Sequence, residues 1–445
     1  MNDASADRRD WLALPAPGPL RATLTVPGDK SISHRAIMLA ALADGVSRID
    51  GFLEGADTRA TAAIFRQLGV RIDAPEPQVR IVHGVGLDGL HASATPLDCG
   101  NAGTAMRLLA GLLAGQRFAS TLTGDASLQQ RPMRRVMAPL ARMGARIDAA
   151  AGDRPPLHIH PADGLYGIDF EADIASAQVK SALLLAGLYA HGTTRVHEPQ
   201  PTRDYTERML AAFGYPIRFQ SGLAELQGGG RLRATDVQVP ADISSAAFFI
   251  VAACVVPGSD LLLRQVGLNP RRTGLLHVLR AMGADIAICN QSEHGGETVA
   301  DIRVRHAPLH GIAVPLQHVP DMIDEFPALF VAAALADGVT MVRGAAELRV
   351  KESDRIAGMA VGLRAMGIRV DEAPDGADIH GGALQAPTQV LDSHGDHRLA
   401  MAFAVAAQCL PSGQTARIGD VANVATSFPG FVTLATQAGM ALQPA

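Results

Sequence analysis

Leu140-Ala-Arg-Met-Gly-Ala-Arg-Ile147 is one copy of a phrase that returns along the whole chain. The other copies are Phe65-Arg-Gln-Leu-Gly-Val-Arg-Ile72, Leu210-Ala-Ala-Phe-Gly-Tyr-Pro-Ile217, Leu279-Arg-Ala-Met-Gly-Ala-Asp-Ile286 and Leu363-Arg-Ala-Met-Gly-Ile-Arg-Val370. Ala435-Thr-Gln-Ala-Gly-Met-Ala-Leu442 is a looser last copy. Each reads as the apolar end of a helix, a glycine that can turn left-handed past the last helical residue, and the start of a strand. The glycines are Gly69, Gly144, Gly214, Gly283, Gly367 and Gly439. A second glycine precedes each one: Gly45, Gly115, Gly192, Gly258, Gly338 and Gly413, each closing an apolar, helix-like run and opening a β-branched or apolar segment. The chain is therefore expected to hold six units, each with two helices, each helix followed by a strand. Alternating helices and strands predict an α/β protein. The repeat is too long for a solenoid, whose period is ~20–50 residues. Six units shared between two globular domains, three each, fit a chain of 445 residues.

Composition narrows the function. Hydrophobic residues are 48% and charged residues 19%, as in a soluble globular protein. The formal net charge is -5, from 39 Lys+Arg against 44 Asp+Glu, which argues against a generic nucleic-acid binder. Aromatics at 4% leave little for a base-stacking platform. The four cysteines, Cys99, Cys254, Cys289 and Cys409, form no C-x-x-C pair and read as free thiols in a reducing compartment. Met1 to Pro15 carries charges where a secretory signal would be apolar, and no run of ~18 apolar residues predicts a membrane span. The expected address is the cytoplasm.

Several segments carry chemistry. In Val26-Pro-Gly-Asp-Lys-Ser-Ile-Ser-His-Arg35 a strand ends, Pro27-Gly28 turns, and an apolar helix begins, so Lys30, Ser31 and Arg35 gather at a helix N-terminus that favours an anion. An ordinary capped helix with surface charges is the plainer reading. The segment is not a P-loop, because Asp29 stands between Gly28 and Lys30. Leu97-Asp-Cys-Gly-Asn-Ala-Gly-Thr-Ala-Met-Arg107 is a second glycine-rich helix start, where Gly100 and Gly103 permit close approach of a ligand. Arg131-Pro-Met-Arg-Arg135 adds cations. Ala175-Ser-Ala-Gln-Val-Lys180 sets Ser176, Gln178 and Lys180 at another helix start, for hydroxyl or carboxylate recognition or simply for capping. Met322-Ile-Asp-Glu-Phe-Pro327 places Asp324 and Glu325 in an apolar stretch, where one could serve as a general base or both could be helix-start charges. In Glu347-Leu-Arg-Val-Lys-Glu-Ser-Asp-Arg355 a helix would bring Lys351 and Arg355 to one face, where an anion would relieve their repulsion. His394-Gly-Asp-His-Arg398 offers two histidines and a carboxylate, but no matching ligand cluster stands elsewhere. No metal is expected, and Arg398 reads as another anion ligand. Lys30, Arg35, Arg131, Lys351, Arg355 and Arg398 come from distant segments, and a ligand with several anionic groups would explain all of them.

The motifs PGDKSISHR, GNAGTAMR, RPM, SAQVKSALLLAGL, TRDYTE, RVKESDRI and GDHR, in this order over nearly the whole chain, resemble the 5-enolpyruvylshikimate-3-phosphate synthase (3-phosphoshikimate 1-carboxyvinyltransferase) family. SAQVKSA and TRDYTE look like its bacterial class II subgroup. The resemblance implies an α/β fold of two domains, each of three βαβαββ units, with an interdomain active-site cleft. The domains would be residues 1–27 with 244–445, and residues 28–243 inserted between them. It implies transfer of the enolpyruvyl group of phosphoenolpyruvate to the 5-hydroxyl of shikimate 3-phosphate by addition and elimination, releasing phosphate. No cofactor or metal is implied, since charge-assisted contacts would hold both phosphates.

Residue by residue, the family's phosphoenolpyruvate positions match Lys30, Gly103, Arg131, Gln178, Arg355 and Arg398. Its shikimate 3-phosphate positions match Lys30, Ser31, Arg35, Ser176, Ala177, Gln178, Arg203, Asp324 and Lys351. Asp324 is similar to the base facing the 5-hydroxyl. Glu352 is similar to the acid/base at the methylene carbon, with Lys30 assisting. Glyphosate is implied as an inhibitor, neither nucleic acid nor membrane as a partner, and a monomer is expected. The chain departs from the pattern at Thr426, where many members have Lys, at Ala177, where many have a second Ser, and at Glu347, where some have Asn. Two rival readings stay open. The sister transferase acting on a UDP-sugar usually carries a reactive Cys beside its Arg-Pro motif, and here Gln129-Gln130 precede Arg131-Pro132. A non-catalytic phosphometabolite-binding protein would not require Asp324, Glu352 and Lys30.

Overall fold

The computed structural model describes residues 9–445. The reading of Met1 to Pro15 rests in part on residues 1–8, which lie outside the described residues. Twelve α-helices are present among the described residues, two for each repeat. They are α1 (Lys30–Leu42), α2 (Ala56–Gln67), α3 (Gly103–Ala114), α4 (Arg134–Arg142), α5 (Ala177–Gly187), α6 (Tyr205–Ala212), α7 (Ile243–Val255), α8 (Gly274–Ala281), α9 (Phe326–Ala334), α10 (Arg355–Ala365), α11 (His397–Ala407) and α12 (Phe431–Ala438). All six glycines of the repeated phrase have φ between +74° and +104°, the left-handed turn expected of them. In the second set Gly115 departs from the rest. It stays helical at φ −87°, because a Cβ there would lie 2.4 Å from the Tyr189 ring; close packing explains this glycine.

The chain forms two compact units. One consists of the N-terminal stretch through Pro27, Pro240–Glu293 and Thr298–Ala445; the other of Gly28–Val239 with His294–Glu297. Residues 240–243, expected with the inserted segment, belong to the first unit. There the Ala241 N–H donates to Gln265 O at 2.9 Å and the Asp242 N–H to Pro27 O at 2.9 Å, whereas the Val239 N–H donates to Asp50 O.

The first helix of each repeat is nearly all apolar and buried, and the second lies nearer solvent. α7 is buried from Ile243 to Cys254, and α9 along its length. In the first unit α7, α9 and α11 pack on one another; in the second α3 packs on α5. The α3–α5 crossing is close because Gly111 lacks a side chain: a Cβ there would lie 2.1 Å from Ala182 O.

The sheets share one plan. Leu97–Asp98 pairs parallel to Ser120–Thr123, which pairs antiparallel to Arg154–Ile159, which pairs antiparallel to Ile147–Ala150. Asp169–Glu171, Thr193–His197, Leu223–Gln227 and Ile217–Gln220 repeat that order. This is βαβαββ with the last strand inside the third. Four borrowed strands complete the first, fourth and sixth repeats. Leu232–Arg233 and Val237–Gln238 pair parallel to Ala43–Asp50, in the first-strand place of the first repeat. Arg21–Leu24 fills that place in the fourth repeat, parallel to Asp260–Gly267. Trp11–Ala13 lies between Ala416–Gly419 and Leu442–Pro444, in the last-strand place of the sixth. The N-terminal strands thus belong to the C-terminal half. The fifth repeat keeps only isolated parallel bridges, His310 to Asp337 and Ala313 to Met341, beside an antiparallel three-stranded sheet.

Candidate active site

In the second unit three helix starts and two loops present the expected residues. Asp29 caps α1, its Oδ1 accepting from Ile32 N–H at 2.8 Å and its Oδ2 from the Tyr205 hydroxyl at 3.2 Å. Lys30, the first residue of α1, forms an ion pair with the buried Asp57 carboxylate of α2. Ser31 is half-buried beside it. Arg35, one turn on, is only 4% exposed. Its guanidinium donates to Thr206 Oγ1 at 2.7 Å, Ser181 Oγ at 2.9 Å and Ser31 O at 3.0 Å. Arg35 therefore fastens α1 to α5 and α6, and burial pulls its pKa down to about 10 despite Glu207 and Asp29 nearby.

Gly103 begins α3, and the groups around it converge. The Arg131 Nη2 donates to Asn101 Oδ1 at 2.7 Å, and Asn101 Nδ2 donates to Asp125 Oδ2 at 2.7 Å. Gln178 of α5 accepts from Arg107 Nη1 at 2.8 Å and donates to Thr104 Oγ1 at 2.9 Å. Gly103, Arg131 and Gln178 are thus brought together, joined by Arg107. Ser176 caps α5, accepting from Val179 N–H at 3.4 Å, with Ala177 next to it. Arg203 stands half-buried just before α6, near enough to Arg35 to disfavour its charge.

In the first unit the hub is Arg355, the first residue of α10, 1% exposed. Its Nη2 lies 2.6 Å from Glu352 Oε2, its Nε 2.8 Å from Asp396 Oδ2 and its Nη1 3.5 Å from Asp324 Oδ1. Burial opposes the guanidinium charge, and Asp396, Glu352 and Asp324 outweigh it, so Arg355 is held above its ordinary pKa. Lys351 Nζ is 3.8 Å from Asp324 Oδ1, and Arg398 Nη1 donates to Asp324 O at 3.0 Å. Asp324, Lys351, Glu352, Arg355 and Arg398 thus form one cluster. Its proton-transfer candidates, Asp324 and Glu352, are partly exposed, while Arg355 and Asp396 beneath them are sealed.

The sequence reading passed over Asp396, Asp57 and Arg107 as partners. Asp396 was in view only as a possible metal ligand in the His394–Arg398 segment, yet its carboxylate binds Arg355. Thr426 ends a short 3-10 helix against the same turn: its hydroxyl donates to Asn423 O at 2.7 Å, and Asn423 Nδ2 donates to Gly395 O at 2.8 Å. Asp169, Glu171 and His197 do bring ligand atoms within 4.8 Å of one another on neighbouring strands. Arg195 Nη1 lies 3.0 Å from Asp169 there, so the group reads as cross-strand ion pairing. Cys99, before the Asn101 loop, is fully buried, and burial pushes its thiol far up, the opposite of a reactive nucleophile. Among the described residues no helix is long and apolar enough to cross a membrane.

Residues 14–434 match the family model of EPSP synthase (3-phosphoshikimate 1-carboxyvinyltransferase). A 3-phosphoshikimate 1-carboxyvinyltransferase of Xanthomonas euvesicatoria pv. vesicatoria is 66% identical over 441 residues, 99% of either chain. One from Xanthomonas campestris pv. campestris is 68% identical over 423 residues, 95% of this chain and 96% of the relative. The EPSP synthase structure from Acinetobacter baumannii superposes with a TM-score of 0.87 at 48% identity, covering 98% of this chain and 100% of that one. The enolpyruvyl transferase NikO of Streptomyces tendae shares the fold, with a TM-score of 0.80 at 18% identity over 99% of each chain. The two-unit α/β fold, the repeated βαβαββ plan and the matches along the chain agree: this chain belongs to the EPSP synthase family.

Proposed function

We propose that the clusters described above are the substrate-binding and proton-transfer groups of a 3-phosphoshikimate 1-carboxyvinyltransferase. The chain is a transferase of the shikimate pathway and aromatic amino-acid biosynthesis: it moves the enolpyruvyl group of phosphoenolpyruvate to shikimate 3-phosphate. The observation that carries the residue assignment is the Arg355 hub, which holds Asp324 and Glu352 on one guanidinium. Two carboxylates so placed can divide two proton transfers.

Asp324 takes the proton of the 5-hydroxyl as its oxygen bonds to C2 of phosphoenolpyruvate. Glu352, assisted by Lys30, delivers a proton to the methylene carbon, which becomes a methyl group. In the second half Glu352 takes a proton back from that carbon, the C–O bond to phosphate breaks, and the double bond returns. Lys351, Ser31, Arg35, Ser176, Ala177, Gln178 and Arg203 serve shikimate 3-phosphate; Arg131, Gly103, Gln178, Arg355 and Arg398 serve phosphoenolpyruvate. Phosphates and carboxylates answer the cations, and the flanking carboxylates keep those cations fixed before substrate arrives. Glyphosate competes with phosphoenolpyruvate, the enzyme works in the cytoplasm, and it acts as a monomer.

A phosphate-release assay with both substrates tests the reading. Release that requires shikimate 3-phosphate supports it. Release with a UDP-sugar in its place, or binding without turnover, overturns it.

A further inference from the structure

Lys180 closes the first turn of α5, its N–H donating to Ser176 O at 3.1 Å, and its side chain is almost wholly buried. Its ammonium sits 2.8 Å from Glu198 Oε2 and 2.7 Å from Glu207 Oε1, both of them carboxylates only 2% exposed. Burial would lower the ammonium pKa, and Glu207 and Glu198 more than offset that, so the lysine stays charged. Glu198 has a second task. It accepts from both the hydroxyl and the N–H of Thr202, closing the turn Glu198-Pro-Gln-Pro-Thr202. Arg203 follows immediately, and Glu207 stands in the first turn of α6 just beyond it. One ammonium thus holds the chain on both sides of Arg203. Next to it, Ser181, Thr206 and Arg35 form a second tie between α5, α6 and α1.

A buried ion triad is a poor source of stability, because desolvating three charges offsets their attraction; an apolar trio would serve the core as well or better. What the triad supplies is direction, since its bonds fix the loop before Arg203 against the helix start that carries Ser176 and Gln178. We propose that Lys180 is a positioning residue for shikimate 3-phosphate, acting through Glu198 and Glu207 on the placement of Arg203 relative to Ser176 and Gln178. The proposal rests on the assignment of those three residues to that substrate.

The test is steady-state phosphate release by the full-length Lys180→Met enzyme, varying each substrate in turn. The KM for shikimate 3-phosphate should rise at least ~tenfold while the KM for phosphoenolpyruvate stays within about threefold. The defect should also depend on pH. Without the ammonium, Glu198 and Glu207 face each other, with Asp204, Arg35, Arg203 and Tyr205 the other charged or titratable groups around them. Burial already raises Glu207. Glu207 should then take up a proton as pH falls, and a hydrogen bond from it to Glu198 replaces the tie. The KM defect should therefore be larger near about pH 8 than near about pH 6, a trend that the parent enzyme, with Lys180 charged at both, should lack.

Thr202→Val removes one hydroxyl bond, leaves every charge in place, and should raise the same KM by about threefold, which keeps the proposal testable if Lys180→Met folds poorly. Arg203→Ala separates the two levels. If it leaves the KM for shikimate 3-phosphate unchanged, the site assignment fails, and the proposal with it. If it raises that KM while Lys180→Met and Thr202→Val shift both substrates equally or neither, only the positioning role is overturned.

Discussion

Arg355 and Asp396 meet at 2.8 Å, Nε to Oδ2, with the carboxylate fully buried and the guanidinium nearly so. The same carboxylate caps α11 by accepting from the Arg398 N–H at 2.9 Å, and it accepts from Ser353 Oγ at 3.1 Å. One side chain therefore sets the start of α10 against the start of α11, and with them Arg355 and Arg398.

Asp396→Asn keeps a capping oxygen, because Asn caps about as well as Asp, but it removes the charge. Breaking a buried pair by removing one partner costs ~3–5 kcal/mol. Glu352 and Asp324 still flank Arg355, so the loss should fall at the lower end, about 3 kcal/mol by denaturant unfolding. The kcat/KM for phosphoenolpyruvate should fall at least ~tenfold, as two cations lose their alignment. Stability within about 0.5 kcal/mol of the parent, with unaltered kinetics, would refute this account.

Asp324 faces two cations, its Oδ1 3.5 Å from Arg355 Nη1 and 3.8 Å from Lys351 Nζ, and its side chain stays partly exposed. Asp324→Asn should lower turnover ~10²–10⁴-fold, the range for loss of a general base. Affinity for shikimate 3-phosphate should stay within about tenfold, ~1.4 kcal/mol. Near-normal turnover would remove Asp324 from the mechanism. Glu352→Gln should slow exchange of the phosphoenolpyruvate methylene protons with solvent, followed by NMR in deuterated water. Unchanged exchange would assign that proton to Lys30 alone.

His34 makes stability depend on pH. Its side chain is wholly buried on α1, with Nδ1 2.8 Å from Thr61 Oγ1. Burial first, then the charges of Lys30 and Arg35, holds its pKa well below the ordinary 6.5. The folded imidazole stays neutral where the unfolded one takes up a proton. The contribution is complete above about pH 6.5 and is lost as pH falls from there toward the folded value, by at most ~1.4 kcal/mol per pH unit. His34→Asn should be less stable at neutral pH from lost packing, yet should lose less on going from about pH 7 to about pH 5.5. Parallel pH profiles of urea unfolding for the two forms would show that His34 does not titrate in this window.

The repeat was legible because its signal is local. A left-handed residue after a helix demands glycine, and Gly69 through Gly439 all adopt that conformation. Gly115 shows the limit, since it serves a contact with Tyr189 that lies far along the chain. The borrowed strands were harder to see. Arg21–Leu24 pairs with Leu263 and its neighbours, and no pattern within four residues names so distant a partner. At the site the cations stood out as motifs, and Asp324 and Glu352 with them, but the buried carboxylates Asp396 and Glu198 were not legible as partners. Asp396 lies 41 residues from Arg355, and Glu198 lies 18 from Lys180, so the pairings follow from folding alone.

Gly103 decides the final prediction. Its backbone is the first turn of α3 and needs no positive φ, so alanine brings no backbone strain. What alanine brings is a methyl group. Its Cβ would lie 3.1 Å from the Nη1 of both Arg107 and Arg131, and 3.6 Å from Leu128 Cδ1. The guanidinium groups would have to retreat by a few tenths of an ångström, and Gln178 and Asn101 already hold them. The methyl group therefore narrows the space beside Arg131, on the side given to phosphoenolpyruvate. Glyphosate is somewhat longer than phosphoenolpyruvate and fills more of that space, so the same intrusion should disfavour the inhibitor more, a difference of affinities. The enzyme with Gly103 should be inhibited by glyphosate competitively with phosphoenolpyruvate. In Gly103→Ala the KM for phosphoenolpyruvate should rise by about threefold, and the glyphosate inhibition constant at least ~tenfold beyond that, about 1.4 kcal/mol. Measuring both constants for both forms checks it. Equal fold-changes would mean that the methyl group acts only by displacing Arg131, which both ligands need, and the steric account of discrimination would fall.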